Sequence, residues 1–192
     1  MAEETKRSRS IVLKGVRIAF ADGLYQAKAF EGKGTPRYNC TFLIEPGSEN
    51  DKVVKAALEA AASEKWGKKA AEIYKSVEGR PQSCCYYSGN LKEYDGFEHM
   101  MALSAVRQED NGPPSVVNRD KSPLTRQSGL PYSGSIVNAK VQIWAQDNSF
   151  GKGLRCTLEA VQFSKDAPAF GGGAPANADG FDEEEVESDL LS

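Results

Sequence analysis

The alternation of apolar and polar positions reads mainly as strands, with one long helical stretch set among them. Ile11 to Phe20 opens with an apolar run and then places Val16, Ile18 and Phe20 against Arg17 and Ala19, which predicts a first strand bulged at Gly15. Residues 23–35 form a polar connection carrying Tyr25, Lys28, Phe30 and Lys33. From Arg37 to Glu45, Tyr38, Cys40, Phe42 and Ile44 share one face, with Arg37, Asn39, Thr41 and Leu43 on the other; Pro46-Gly47 ends this strand.

Ser48, with Asp51 three residues on, resembles a capping signal, and Glu49 and Asp51 suit the positive end of a helix dipole. Val54, Leu58 and Ala61 recur at helical spacing. Trp66, Ala70, Ile73, Tyr74 and Val77 carry the stripe past Gly67, predicting one broken helix or two abutting ones whose stripe packs in the core. Short strands are expected at Gln82 to Tyr87 and Glu98 to Arg107. Tyr86 and Tyr87 are adjacent, so a regular strand turns one of them away from the core. The Pro- and Gly-rich stretch from Gln108 to Ser133 is long for an unstructured loop.

The clearest hairpin closes the body. Val137, Ala139, Val141, Ile143 and Ala145 share one face of Ser135 to Gln146, residues 147–153 turn, and Leu154 to Phe163 returns. About five strands with one inserted helical segment suit a mainly β OB-fold, a five-stranded partly open Greek-key barrel. An α+β sandwich is the alternative arrangement of the same pattern.

The last 22 residues change the picture. From Gly171 onward the 192-residue chain has seven acids and no Lys or Arg, so a Gly/Ala linker leads into a disordered acidic C-terminal tail. Its acids include Asp182, Glu183, Glu184, Glu185, Glu187 and Asp189. Of the chain's 24 bases and 27 acids, 24 and 20 precede Gly171, so residues 1–170 carry about +4 and form one domain. A cationic body tethered to its own polyanion points to a body that binds a polyanion.

Other chemistry is poorly supplied. Cys40, Cys84, Cys85 and Cys156 form no CxxC pair, and His99 is the only histidine, so no metal site or cofactor is expected. Cys84-Cys85 reads as one buried and one exposed thiol on a strand. Neither GxSxG nor a P-loop is present, and no enzyme is expected. No apolar run is long enough to span a bilayer, and Met1 to Ser10 has no apolar signal core, which predicts a cytoplasmic protein.

Binding single strands without sequence preference needs cations along the phosphates and exposed rings for the bases. Tyr94 and Phe97 stand in a loop with Lys92. Tyr132 follows Arg126, and Trp144 shares a strand face with Lys140. Arg107, Arg119 and Lys121 complete the expected contacts. Tyr38 has core parity as well as Arg37 beside it, and Lys6, Arg7 and Arg9 open the chain.

Arg119-Asp120-Lys121-Ser122-Pro123-Leu124-Thr125, Pro131-Tyr132-Ser133-Gly134-Ser135-Ile136-Val137-Asn138-Ala139, Trp144-Ala145-Gln146-Asp147-Asn148 and Gly151-Lys152-Gly153 together resemble a family of bacteriophage single-stranded DNA-binding proteins. Its members are similar to podoviral replication SSB proteins, which also end in an acidic tail. The resemblance implies an OB-fold that binds single-stranded DNA in phage replication, recombination or repair. One feature departs from the related tails, which tend to finish on an aromatic residue. Here Phe181 precedes most of the acids, and the chain ends Leu190-Leu191-Ser192.

The expected mechanism follows from both readings. DNA lies across the barrel, the tail competes for the same groove, and the displaced tail recruits phage replication proteins. The pattern is compatible with a monomer or a dimer. The alternative reading is a DNA-mimicking interaction protein that acts on a host or phage enzyme through its tail.

Overall fold

A computed structural model of the chain describes residues 10–30 and 32–171. Lys6, Arg7, Arg9 and the tail acids from Asp179 to Asp189 lie outside the described residues.

Five strands close a ring. β1 (Ser10–Ala19) pairs antiparallel with β3 (Lys33–Ile44) on one edge and with β7 (Ile136–Asn148) on the other. β3 pairs in turn with β5 (Met101–Gln108), from Arg37↔Gln108 to Ile44↔Met101. The β7–β8 hairpin brings in β8 (Gly151–Lys165), which meets β5 in parallel at Val106↔Thr157. The ring β1–β3–β5–β8–β7 is the OB barrel, partly open because its β5–β8 seam is so short. The bulge expected at Gly15 is present: the β1–β7 register jumps between Leu13 and Val16, and Gly15 takes a φ of 67°.

Three short strands are added to the ring. β2 (Lys28–Phe30) edges β3, β4 (Tyr86–Ser88) edges β5, and β6 (Ser115–Val117) lies parallel to β8. β6 accounts for part of the long Gln108–Ser133 connection, and a bridge from Val117 to Pro123 folds the chain back beyond it. A three-residue strand is too short to show a period, so β2 and β6 escape a reading of alternation.

The helical segment is two helices, α1 (Glu49–Trp66) and α2 (Ala70–Val77), joined by a 3-10 turn at Gly67–Lys69. Ser48 caps α1 by accepting a hydrogen bond from the Asp51 amide at 3.3 Å. Val54, Leu58 and Ala61 join the inward residues of the strands, among them Leu13, Ile18, Phe42, Ile44, Leu103, Val141, Ile143, Leu154 and Leu158, in one core. Burying each such Leu or Ile side chain contributes roughly 1.5–3 kcal/mol.

Tyr86 and Tyr87 point to opposite faces, as adjacent strand residues must. Tyr86 belongs to the main core. Tyr87 joins Ala19, Leu43, Phe97 and Ala102 in a smaller cluster on the outer face. The two thiols do not divide in this way: Cys84 and Cys85 are both buried. Their segment is stitched on both edges, with the Cys85 amide donating to the Leu154 carbonyl at 2.9 Å and the Ser104 amide to the Cys85 carbonyl at 2.8 Å.

Candidate nucleic-acid interface

The outer face of β3 and β5 carries the residues whose parity turns them from the core: Arg37, Asn39 and Thr41 on one strand, Ser104 and Val106 on the other. They floor a groove of about 580 Å³, walled by Phe20 at the end of β1, Lys28 of β2, Tyr87 of β4, and Lys92 and Tyr94 of the loop that follows. Arg37, Pro81, Ser104 and Val106 also line an adjoining hollow of about 350 Å³ that runs on to Trp144, Gln146 and Arg155.

At the other end, Phe20 and Tyr94 border a hollow of about 270 Å³ that reaches Phe170. Through Asp22, Ser133 and Phe170 it joins another of about 480 Å³ lined by Tyr25, Arg126 and Tyr132. One track therefore crosses the barrel from Trp144 to Arg126.

Three ring positions on the track are open. Phe20 is 43% and Tyr94 52% exposed, and they meet edge to face with centroids 5.1 Å apart. Phe20 is held in the left-handed region, φ 59° and ψ 43°, an uncommon conformation for a bulky residue. The turn Ala21–Leu24 that follows sits tight on β3, since a Cβ at Gly23 would lie 1.9 Å from the Asn39 carbonyl oxygen. Further along the track, Trp144 is 36% exposed, and its indole N–H donates to Thr157 Oγ1 at 3.0 Å, which fixes the ring against β8.

The cations are arranged with equal consequence. Lys28 and Arg37 are direct cross-strand partners on β2 and β3, both lining the groove, with no carboxylate at ion-pair distance among the described residues. Like charges placed opposite one another destabilise a sheet, and an anion between them relieves the repulsion. Lys92 lies 6.0 Å from the Tyr87 ring centroid. Arg155 is cross-strand from Trp144 and donates from Nε to Gln146 Oε1 at 3.0 Å and from Nη2 to the Gln82 carbonyl at 3.1 Å. Both acceptors are neutral, so its charge stays unbalanced in the groove.

Of the residues expected to contact a ligand, Lys92, Tyr94, Arg126, Tyr132 and Trp144 come together on the track. Phe97 does not offer a face: it is 1% exposed, beneath Phe20 at 6.1 Å and Tyr94 at 5.2 Å, and supports both rings. Its loop folds back on the outer cluster, and the ring fills that cluster's core. Arg107 is also occupied. It has the core parity of Leu103 and Ala105, and its guanidinium donates to the carbonyls of Gly112, Asn111 and Leu158 at 2.8, 2.9 and 3.3 Å.

Arg119 and Lys121 lie in the connection beyond β6, where the Arg119 guanidinium stands 5.4 Å from the ring of buried Phe163. Lys140 is 3.7 Å from Glu159. None of these three lines the track.

Phe20, Lys28, Arg37, Tyr87 and Arg155 were missed as site residues. Arg37 did carry a signal, since its parity opposes Cys40 and Phe42. Lys28 and Arg155 carried none, because only strand pairing brings them to Arg37 and Trp144.

A partly open five-stranded barrel crossed by rings and unbalanced cations defines the class of OB-fold single-strand binders. The chain belongs to the family described as "Enterobacter phage Enc34, ssDNA-binding protein", whose profile matches residues 9–191. It is 41% identical over 176 residues to "Putative protein p50" of Acyrthosiphon pisum secondary endosymbiont phage 1, covering 90% of this chain and 92% of that protein.

Among solved structures, the fold is similar to that of the single-stranded DNA-binding protein from bacteriophage Enc34 in complex with ssDNA. The TM-score is 0.70 at 23% identity, over 86% of this chain and 91% of that one. It is also similar to gp2.5, a single-stranded DNA-binding protein encoded by bacteriophage T7, with a TM-score of 0.53 at 15% identity, over 91% and 98% of the two chains. At these identities the two structures speak for the fold.

Proposed function

We propose that this protein binds single-stranded DNA along the track from Trp144 to Arg126, without strong sequence preference, during phage replication, recombination or repair in the cytoplasm of the infected host. Bases stack on Trp144, on the Phe20–Tyr94 pair and near Tyr132. Phosphates follow Arg155, Arg37, Lys28, Lys92 and Arg126. The observation that carries this reading is the juxtaposition of Lys28 and Arg37 beside open rings on the outer face of the barrel. Rings alone would suit an apolar partner, and cations alone any polyanion; together they fit unpaired nucleotides.

The acidic segment competes for the same track and, once displaced, recruits replication proteins. Support comes from where the described chain ends. Tyr132 donates to Asp166 Oδ1 at 2.8 Å, Arg17 donates to the Pro168 carbonyl, and its guanidinium lies 4.1 Å from the Phe170 ring centroid. The Gly171 amide donates to Asp95 Oδ2 at 3.3 Å, beside Tyr94. The seven acids therefore follow from a point already on the track.

The test is an oligothymidylate titration of Lys28→Gln and Arg37→Gln across a salt series. Each should weaken binding at low salt, and the double variant should lower the log–log salt slope by about 1.4, at ~0.7 per phosphate contact. Unchanged affinity and slope would refute the groove as the binding surface.

A further inference from the structure

Four buried cysteines gather where residues 80–85 lie between β5 and β8. Cys84 forms a parallel bridge with Leu154, and the Cys85 backbone is fastened to Leu154 on one edge and to Ser104 on the other. Cys156 stands two residues past Leu154, and Cys40 pairs with Ala105, next to Ser104. Cys85 is the least buried of the four. With Cys156 it lines the hollow of about 350 Å³ beside Arg37, Trp144 and Arg155, so a solute barely larger than water reaches it from the track.

Buried thiols are ordinarily inert, and burial does push Cys40 and Cys156 up. Cys84 and Cys85 differ because their side chains meet. The Cys85 thiol hydrogen-bonds to Cys84, and the Tyr86 and Gly79 amides add to that pull. Together they outweigh burial and the Glu78 carboxylate and bring the Cys84 thiol down to about 7. Cys85 moves the opposite way, held up by that same bond, by burial and by Cys156. Near neutral pH the two sulfurs therefore share one proton and one negative charge. Tyr74 also faces them; its phenol, pushed up to about 12 chiefly by burial, stays neutral.

We propose that Cys84 and Cys85 form an oxidisable dithiol, which hydrogen peroxide reaches through this hollow and converts to a disulfide. With the shared proton passed to Cys84, the Cys85 thiolate attacks one peroxide oxygen. An S–O bond forms, the O–O bond breaks, and the departing hydroxide takes the Cys84 proton and leaves as water. The Cys84 thiolate then attacks the sulfur of the Cys85 sulfenic acid. The S–S bond forms, and the hydroxyl leaves as a second water with a proton from solvent. The two thiols lose two electrons and the peroxide gains them. Consecutive Cα atoms stand about 3.8 Å apart, inside the ~4.4 Å lower edge of ordinary disulfides. The bridge is therefore strained, and a thiol reductant reopens it.

The experiment treats the full native chain with hydrogen peroxide at neutral pH, blocks the remaining thiols with N-ethylmaleimide in denaturant, and reads the peptides by mass spectrometry. The peptide holding Cys84 and Cys85 should lose two hydrogens and escape the block, while Cys40 and Cys156 are blocked in full. Dithiothreitol should restore it. Cys84→Ser should stop the reaction at a sulfenic acid on Cys85 that dimedone traps; the wild-type result stands by itself if that variant does not fold. A pair that reacts only after denaturant is added overturns the proposal. So does a bridge from Cys85 to Cys156, or a sulfinic acid formed with no bridge. Oligothymidylate at ~10 Kd should slow the bridge about tenfold, in line with the fraction left free. That shielding rests on the groove reading above: a bridge that forms as fast with DNA present supports the dithiol and counts against the groove.

Discussion

Asp51 is 2% exposed, and its carboxylate accepts from the Tyr86 hydroxyl at 2.5 Å, the Gly47 amide at 2.9 Å and Lys55 at 3.1 Å. Burial by itself would raise its pKa; the Tyr86 and Gly47 hydrogen bonds and Lys55 outweigh it and hold the carboxyl below its ordinary value. A lowered folded-state pKa gives stability that is complete above the unfolded value, about 3.9, and is lost as pH falls through the folded one. Asp51→Asn should therefore flatten the acid limb of a plot of Tm against pH. Asp51→Ala leaves the buried Tyr86 hydroxyl unpaired and should lower Tm at neutral pH by roughly 2–12 °C, from ~1–3 kcal/mol at 2–4 °C each. The neighbouring rings make an opposite pair of cases. Tyr94→Ala removes an open face and should reduce oligothymidylate affinity about fivefold or more with Tm nearly unchanged. Phe97→Ala empties the support beneath it and should cost about 3–5 kcal/mol in a denaturant melt.

At the scale of elements, the segment after β8 behaves as a strap. Asp166 to Gly171 crosses from Tyr132 to Asp95, held by the Phe170 amide to the Ser133 carbonyl at 2.9 Å and by Arg17. Gly134 and Gly96 let it lie close: a Cβ at Gly134 would meet the Pro168 carbonyl at 2.4 Å, and one at Gly96 the Phe170 ring at 2.3 Å. Arg17 ties the strap to the body, since it donates to the Gly134 carbonyl at 2.9 Å and to the Pro168 carbonyl, and stacks on Phe170. Arg17→Ala should speed hydrogen exchange at the Phe170 amide at least tenfold while leaving the amides of β7 and β8 protected. Equal rates in the two proteins would show that the strap is held without it.

For the whole molecule the governing quantity is charge distribution. Residues before Gly171 carry 24 bases and 20 acids, and the seven remaining acids follow in sequence after Gly171, which lines the same hollow as Tyr94. Truncation after Phe170 should raise affinity for oligothymidylate in dilute buffer and have little effect in high salt, where screening already mutes the competitor. A truncated protein with unaltered low-salt affinity would remove the competition. No helix among the described residues is long and apolar enough to cross a membrane.

Local pattern determined much of this. Alternation placed β1, β3, β7 and β8 and told their faces apart; the cap at Ser48 and the break at Gly67 were legible because capping and helix stops are short-range events. The strand faces holding Arg37 and Trp144 followed from parity. What remained belonged to turns and to pairs distant in sequence. Arg107 was taken up by carbonyls of Asn111, Gly112 and Leu158, and Phe97 by a cluster assembled from β1, β3, β4 and β5, so neither residue type nor spacing could show that they were spent. Lys28 met Arg37, and Arg155 met Trp144, only when their strands paired. Periodicity is a property of one segment and decides which way a side chain turns. Ring closure across β3–β5 and β5–β8 decides what it then faces, and that is where the track came into being.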